Sequence, residues 1–144
     1  MPVVLIDGDI ARKTVSRDLG YTKEERDRHI SRVADICYLI NQSNVNAIAC
    51  VISPTKEIRE YARNNIENFI EVYIKCPLDI CKDRDVKGHY KRVAEGEIKE
   101  FVGITIPYEE PQSPEITIET DKKNVDEGVE EILRYVEAEG FGQQ

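Results

Sequence analysis

The stretch VVLIDGD, residues 3–9, decides how this chain is read. Val3 to Ile6 are an unbroken apolar run, whereas a strand with one wet face would alternate apolar and polar residues. Such a run suits a strand covered on both faces, as in a parallel α/β sheet. It stops on two carboxylates, Asp7 and Asp9, around Gly8. Ligands of open parallel sheets gather beyond the carboxyl ends of the strands, so both acids stand where chemistry is expected. Strands of this kind rarely come first, yet only Met1 and Pro2 precede this one.

Three further strand candidates follow: NAIACVIS (46–53), FIEVYIK (69–75) and EITIET (115–120). Helical stretches or longer segments separate them, an order that implies parallel strands joined by crossover helices. The expected fold class is α/β, a three-layer, mainly parallel sheet. A helix is predicted from Lys23 to about Gln42, because Thr22 and Glu25 make a capping box and Ile30, Val33, Ala34, Cys37 and Ile40 share one face. Its first turn projects Arg26 and His29. A second is predicted with Ser53 as N-cap, Pro54 at the first helical position, and Ile58, Tyr61, Ala62 and Ile66 facing inward. The last starts near Asn124, buries Val125, Val129, Ile132, Leu133 and Val136, and stops at Gly140.

At 144 residues and 40% hydrophobic content the chain fits one domain, residues 1–144. With 28 acids against 20 bases the net charge is −8, which argues against non-specific nucleic-acid or anionic-membrane binding. The four cysteines form no CxxC, and two histidines are too few to support a zinc site or a catalytic Cys/His pair. Reduced thiols and the lack of any signal peptide or transmembrane run suit a soluble, cytoplasmic protein. Residues 84–114, RDVKGHYKRVAEGEIKEFVGITIPYEEPQSP, are too polar for core and too long for a simple connection, so they read as a lid or substrate loop.

At the sheet edge, Asp7 and Asp9 could hold Mg²⁺ or accept a proton from an attacking hydroxyl, and Arg12, Arg26, Lys56 and Lys87 could clamp phosphate or sulfate. Phosphoryl transfer needs such parts. The plain alternative is that the two acids cap a turn, Ser53 caps a helix and the bases form a solvated face.

The combination of motifs goes further. LIDGDIAR (5–12), LGYTKEER (19–26), VISP (51–54), FIEVYIKCPLDICKDRDVKGHYKR (69–92), GEIKEFVGI (96–104) and PYEEP (107–111) occur in the order and at the spacings of the adenylylsulfate kinase family, which the chain resembles from about Val3 to Val136. The resemblance implies a P-loop-kinase-like fold. The implied reaction moves the γ-phosphoryl of ATP, bound with Mg²⁺, to the 3′-hydroxyl of adenosine 5′-phosphosulfate. It puts Asp7 and Asp9 at the metal and the 3′-hydroxyl, with Asp7 the better candidate for base, and counts Ser53 with them at the reacting centre. Arg12 and Arg26 would hold the phosphosulfate, Ile52 and Ser53 would line the acceptor pocket, and Lys87 would reach in from the lid. Tyr21 and Phe101 would sandwich the acceptor's adenine, and Arg84 would lie against the ATP base. The rival readings make Tyr21 a staple before the capped helix and Phe101 an apolar anchor of the lid.

The chain departs from the family pattern at Ile10 and His29, where asparagines are usual, and at Thr55 and Lys56, where an aromatic residue and an arginine are usual. His29 could still donate a hydrogen bond to the acceptor. In the family the strand ending in DGD is the second, preceded by a central strand, a G-x-x-x-x-G-K-[ST] loop and a helix. No such pattern occurs in these residues. Three expectations follow: a kinase whose N-terminal strand, loop and helix lie outside this sequence; an inactive relative that binds adenosine 5′-phosphosulfate or its 3′-phosphate as a sensor or regulatory subunit; or a structural partner of a complete kinase. The resemblance favours a homodimer. The strands at 46–53 and 69–75, which flank the absent strand in the family, would pair directly, be covered by another chain, or belong to a longer protein.

Overall fold

The computed structural model describes residues 2–140. They form two compact units, one of residues 2–69 with Tyr108–Glu110 and one of Ile70–Pro107 with residues 111–140.

In the first unit, β1 (Val3–Asp7) leads directly into α1 (Gly8–Lys13). Asp7 makes the turn: its Oδ1 accepts the amides of Asp9 at 2.8 Å and Ile10 at 3.1 Å. A Cβ on Gly8 would lie 3.1 Å from both the Cys50 carbonyl oxygen and Val51 Cγ1, so the close approach of the neighbouring strand end favours glycine. After residues 14–22 comes α2 (Lys23–Asn41), entered through the expected Thr22/Glu25 capping box. Then β2 (Asn46–Cys50) pairs in parallel with β1, from Val3 opposite Asn46 to Asp7 opposite Cys50. Helix α3 (Lys56–Asn65) packs on α2. Ala11, Val33 and Cys37 centre the core, with Ile6, Ala47, Val51 and Ile66 around them. Of the predicted stripe on α2, Ile30, Val33, Ala34 and Cys37 are buried and Ile40 is half-buried. Burial pushes the Cys37 thiol up, away from the reactive thiolate.

In the second unit, β3 (Val72–Lys75) pairs in parallel with β4 (Ile116–Glu119). Between them lie α4 (Leu78–Arg84) and α5 (His89–Ala94), and α6 (Val125–Ala138) follows β4. Helix α6 opens on the Asn124/Glu127 capping box.

Among the described residues β1 pairs with β2 and β3 with β4, all in parallel. Four expectations are corrected. The two-sided cover expected of the first strands is not found: Val3, Val4, Leu5 and Ile48 are exposed, because the helices contacting them, α1 and α2, leave the opposite face open. On α3 the N-cap is Thr55, whose Oγ1 accepts the Ile58 amide, instead of Ser53. Ser53 and Pro54 stay outside the helix because their carbonyls accept from Arg59 Nη1 at 2.7 Å and from the Glu109 amide at 2.8 Å. Tyr61 is exposed at the margin of α3, its hydroxyl donating to Asp35 at 2.7 Å. On α6, Val125, Val129 and Leu133 are exposed, Ile132 and Val136 are half-buried, and the buried residue is Gly128, whose Cβ position lies 3.2 Å from Ile118. Helix α6 therefore meets β4 through its smallest residue, at the edge of the predicted stripe.

Candidate active site

The carboxyl end of β1 carries Asp7 as the N-cap of α1, with Asp9 in its first turn. The capping alternative is thus realised for Asp7 Oδ1. One turn on, Arg12 donates from Nη1 to the Gly20 carbonyl at 2.5 Å, and its guanidinium lies 4.6 Å from the centre of the Tyr21 ring. Arg26, in the first turns of α2, donates from Nε to the Tyr21 carbonyl at 2.8 Å and stands 5.3 Å from the same ring. Tyr21 remains 59% exposed. Three residues that are scattered in the sequence thus form one stack, two cations on an open aromatic surface.

His29 is elsewhere. It is 4% exposed, and its Nδ1 shares a 2.9 Å hydrogen bond with the fully buried Ser16 Oγ. Desolvation first, then the charges of Arg12 and Arg32, push its pKa down from 6.5 to about 4, so the ring is neutral near pH 7. Ile52 is exposed and Ser53 half-buried beside the start of α3. The Lys56 amide donates to Glu109 Oε2 at 2.6 Å, while Arg59 bridges the Ser53 and Glu109 carbonyls. Arg59 and Glu109 therefore brace the loop holding Ile52 and Ser53. Neither is a candidate from the sequence, where the only signal is that Glu109 lies within the PYEEP motif.

In the second unit, Arg84 ends α4 and is tied to the strand ends: Nη2 donates to the Thr120 carbonyl at 2.7 Å and Nη1 to Thr120 Oγ1 at 3.3 Å. Asp85 follows with a positive φ of 23°, and its two carboxylate oxygens accept the amides of Tyr90 at 3.0 Å and Lys91 at 3.1 Å. The Gly88 amide closes the turn on the Asp85 carbonyl at 2.8 Å. Lys87 is exposed within that turn. Phe101 is half-buried, with Tyr90 and His89 meeting it near-perpendicularly at 5.1 and 5.9 Å between ring centres. These contacts tie Phe101 to the start of α5. Asp7, Asp9, Arg12, Tyr21, Arg26, His29, Ile52 and Ser53 all lie in the first unit, and Arg84, Lys87 and Phe101 in the second.

Two carboxylates two residues apart suit a hard cation that takes its other ligands from phosphate and water. No cluster of three or more His, Cys, Asp or Glu side chains able to hold a metal by itself occurs among the described residues. No helix among them is long and apolar enough to cross a membrane.

The adenylylsulphate kinase family model matches residues 1–119. An adenylyl-sulfate kinase of Halothermothrix orenii is 44% identical over 136 residues, which are 94% of this chain and 74% of that protein. One from Thermodesulfovibrio yellowstonii is 47% identical over 134 residues, 92% of this chain and 67% of that protein. Among solved structures, the Mycobacterium tuberculosis APS kinase CysC in complex with AMPPNP and APS superposes with a TM-score of 0.90 at 31% identity, covering 95% of this chain and 81% of that one. The hexameric APS kinase from Thiobacillus denitrificans gives 0.72 at 29% identity, covering 97% of this chain and 23% of that one. With an α/β fold of parallel strands and a match spanning most of its length, the chain belongs to the adenylylsulphate kinase family.

Proposed function

We propose that the residues of this chain bind adenosine 5′-phosphosulfate and phosphorylate its 3′-hydroxyl from ATP. The observation that carries this reading is the stack of Arg12 and Arg26 on exposed Tyr21: an aromatic face with two fixed cations matches a purine joined to a doubly anionic tail. The superposition with a relative that holds both AMPPNP and APS supports the same assignment.

Asp7 is the base in this scheme. Its Oδ1 is committed to the amides of α1, so Oδ2 takes the proton of the 3′-hydroxyl as that oxygen bonds to the γ-phosphorus and ADP departs. Asp9 and Asp7 would hold Mg²⁺ with ATP, which when bound neutralises charge on the phosphate oxygens. Arg12 and Arg26 orient the phosphosulfate, Ile52 and Ser53 line the acceptor pocket, Lys87 comes from the lid at 84–114, Phe101 faces the adenine, and Arg84 lies against the ATP base. We read the whole as one functional domain of a cytoplasmic homodimer.

A second reading, an acceptor-binding relative without turnover, is favoured by one fact: these 144 residues contain no G-x-x-x-x-G-K-[ST] pattern. Titration calorimetry and an ADP-release assay on residues 1–144 test both. Adenosine 5′-phosphosulfate should bind and MgATP bind weakly. Transfer should be slower than in a complete relative by at least ~10²–10³, the usual cost of losing one preorganised donor. Fusing the strand, glycine-rich loop and helix of a relative to the N-terminus should restore turnover, and Asp7→Asn should then abolish it while acceptor binding stays. Acceptor binding without turnover in the fusion would favour the second reading. Tight MgATP binding with no acceptor binding would refute both.

A further inference from the structure

Among the described residues Ser16 and His29 are the two buried polar side chains, and each is the other's partner. Burial of two such groups is tolerated only when they are paired, so the contact selects a single arrangement of the chain around Ser16. A slip of one residue would set Val15 or Arg17 against the imidazole and leave a buried ring nitrogen unbonded. The backbone at Ser16 is fixed as well: its amide donates to the Ala11 carbonyl and its carbonyl accepts the Leu19 amide, both at 3.0 Å. The chain then runs four residues to Gly20 and Tyr21, whose carbonyls are those gripped by Arg12 and Arg26. His29 lies three residues after Arg26, on the same side of α2. One end of the helix thus holds both the buried pair and the outer cation of the stack.

We infer that the buried Ser16–His29 pair is a positioning device that locks residues 14–21 so that Tyr21 stays against Arg12 and Arg26, and thereby sets the affinity of that stack for the acceptor nucleotide. The second half of this statement rests on the proposed function; the first does not. His29 acts through Tyr21, its ring committed to Ser16 instead of to the ligand. The low proton affinity of the ring supports the assignment, since a neutral imidazole bonds to Ser16 without adding a third positive charge beside Arg12 and Arg32.

The geometry supplies a discriminating set of variants. Asparagine carries polar atoms at the position of imidazole Nδ1, whereas glutamine carries them one bond further out. Hydrogen–deuterium exchange on residues 1–144 without ligand should show the amides of 15–22 exchanging about tenfold faster in Ser16→Ala and His29→Gln, and near the parent rate in His29→Asn, with β1, β2 and α3 unchanged. The dissociation constant for adenosine 5′-phosphosulfate should rise about tenfold in the first two and be rescued in the third. Unchanged exchange at 15–22 in Ser16→Ala and His29→Gln overturns the inference, as does faster exchange with unaltered acceptor affinity. If the parent protein itself binds no acceptor, the proposed function fails, and the exchange comparison alone then decides whether the pair positions the stack.

Discussion

Residues 14–22 and residues 84–107 both link regular elements, and both carry residues that the proposed function assigns to ligand binding, yet they are held in opposite ways. The first is locked from beneath by a buried polar pair and from the side by Arg32, which donates to both carboxylate oxygens of Asp18 at 2.6 and 2.9 Å and to the Val15 carbonyl at 2.8 Å. That contact holds the Asp18 carboxyl down at about 2. The second has no buried side chain, and rests on the Asp85 cap, tight turns at Gly88 and Gly103, and the rings of His89 and Tyr90 against Phe101. Each of its holds is local and partly wet. The two stretches thus differ in whether a polar group is sealed from water.

Acid should break this contrast most strongly. His29 has a folded pKa of about 4 against 6.5 in the unfolded chain, so its neutral form stabilises the fold fully above pH 6.5, and that contribution is lost as pH falls towards 4. Between pH 7 and pH 4 the parent protein should lose on the order of 3 kcal/mol more stability than His29→Asn, which has no group to titrate. Urea unfolding of both proteins across that range measures the difference. Equal slopes would mean that His29 is accessible to protons in the native state.

For the lid, Phe101→Ala should weaken acceptor binding by about 1–3 kcal/mol, the scale of one lost stacking face. Exchange should quicken only over residues 89–106, with global stability nearly unchanged. Unfolding of the whole protein with affinity intact would make Phe101 a packing residue and remove it from the site. Gly88→Ala is a smaller and purer perturbation: φ there is +66° and nothing lies within 4 Å of the new methyl, so the cost is backbone strain alone, about 1 kcal/mol. Calorimetry should register it in the melting temperature, with residues 14–22 unaffected in exchange. Smallest of all, Asp85→Gly removes a side-chain cap but relieves a left-handed non-glycine backbone, so the two effects offset to within about 1 kcal/mol. A larger loss would show that the cap holds the lid more firmly than its exposure suggests.

By itself the sequence determined what depends on residues a few places apart. The Thr22/Glu25 and Asn124/Glu127 caps, the span of α2, the apolar parallel strands and the order of motifs were legible because those signals are hydrogen bonds and periodicities closed within one or two turns. Asp7, Arg12, Tyr21 and Arg26 were legible as candidates for the same reason, since the motifs containing them are short and contiguous. Tertiary structure alone decided between partners that were chemically equivalent on paper. Ser53 and Thr55 are both good N-caps, and Thr55 prevails because Arg59 and the distant Glu109 engage the carbonyls of Ser53 and Pro54. The stripe on α6 has helical spacing whichever way it turns, and with Gly128 against Ile118 the side carrying Val125, Val129 and Leu133 faces outward. His29 reads on paper as a ligand contact, and its burial against Ser16, thirteen residues away, is seen only in the fold. The physical reason is common to all three: the free energy of a contact between distant residues depends on where the fold brings them, and on how much water it leaves there, neither of which a pattern along the chain contains.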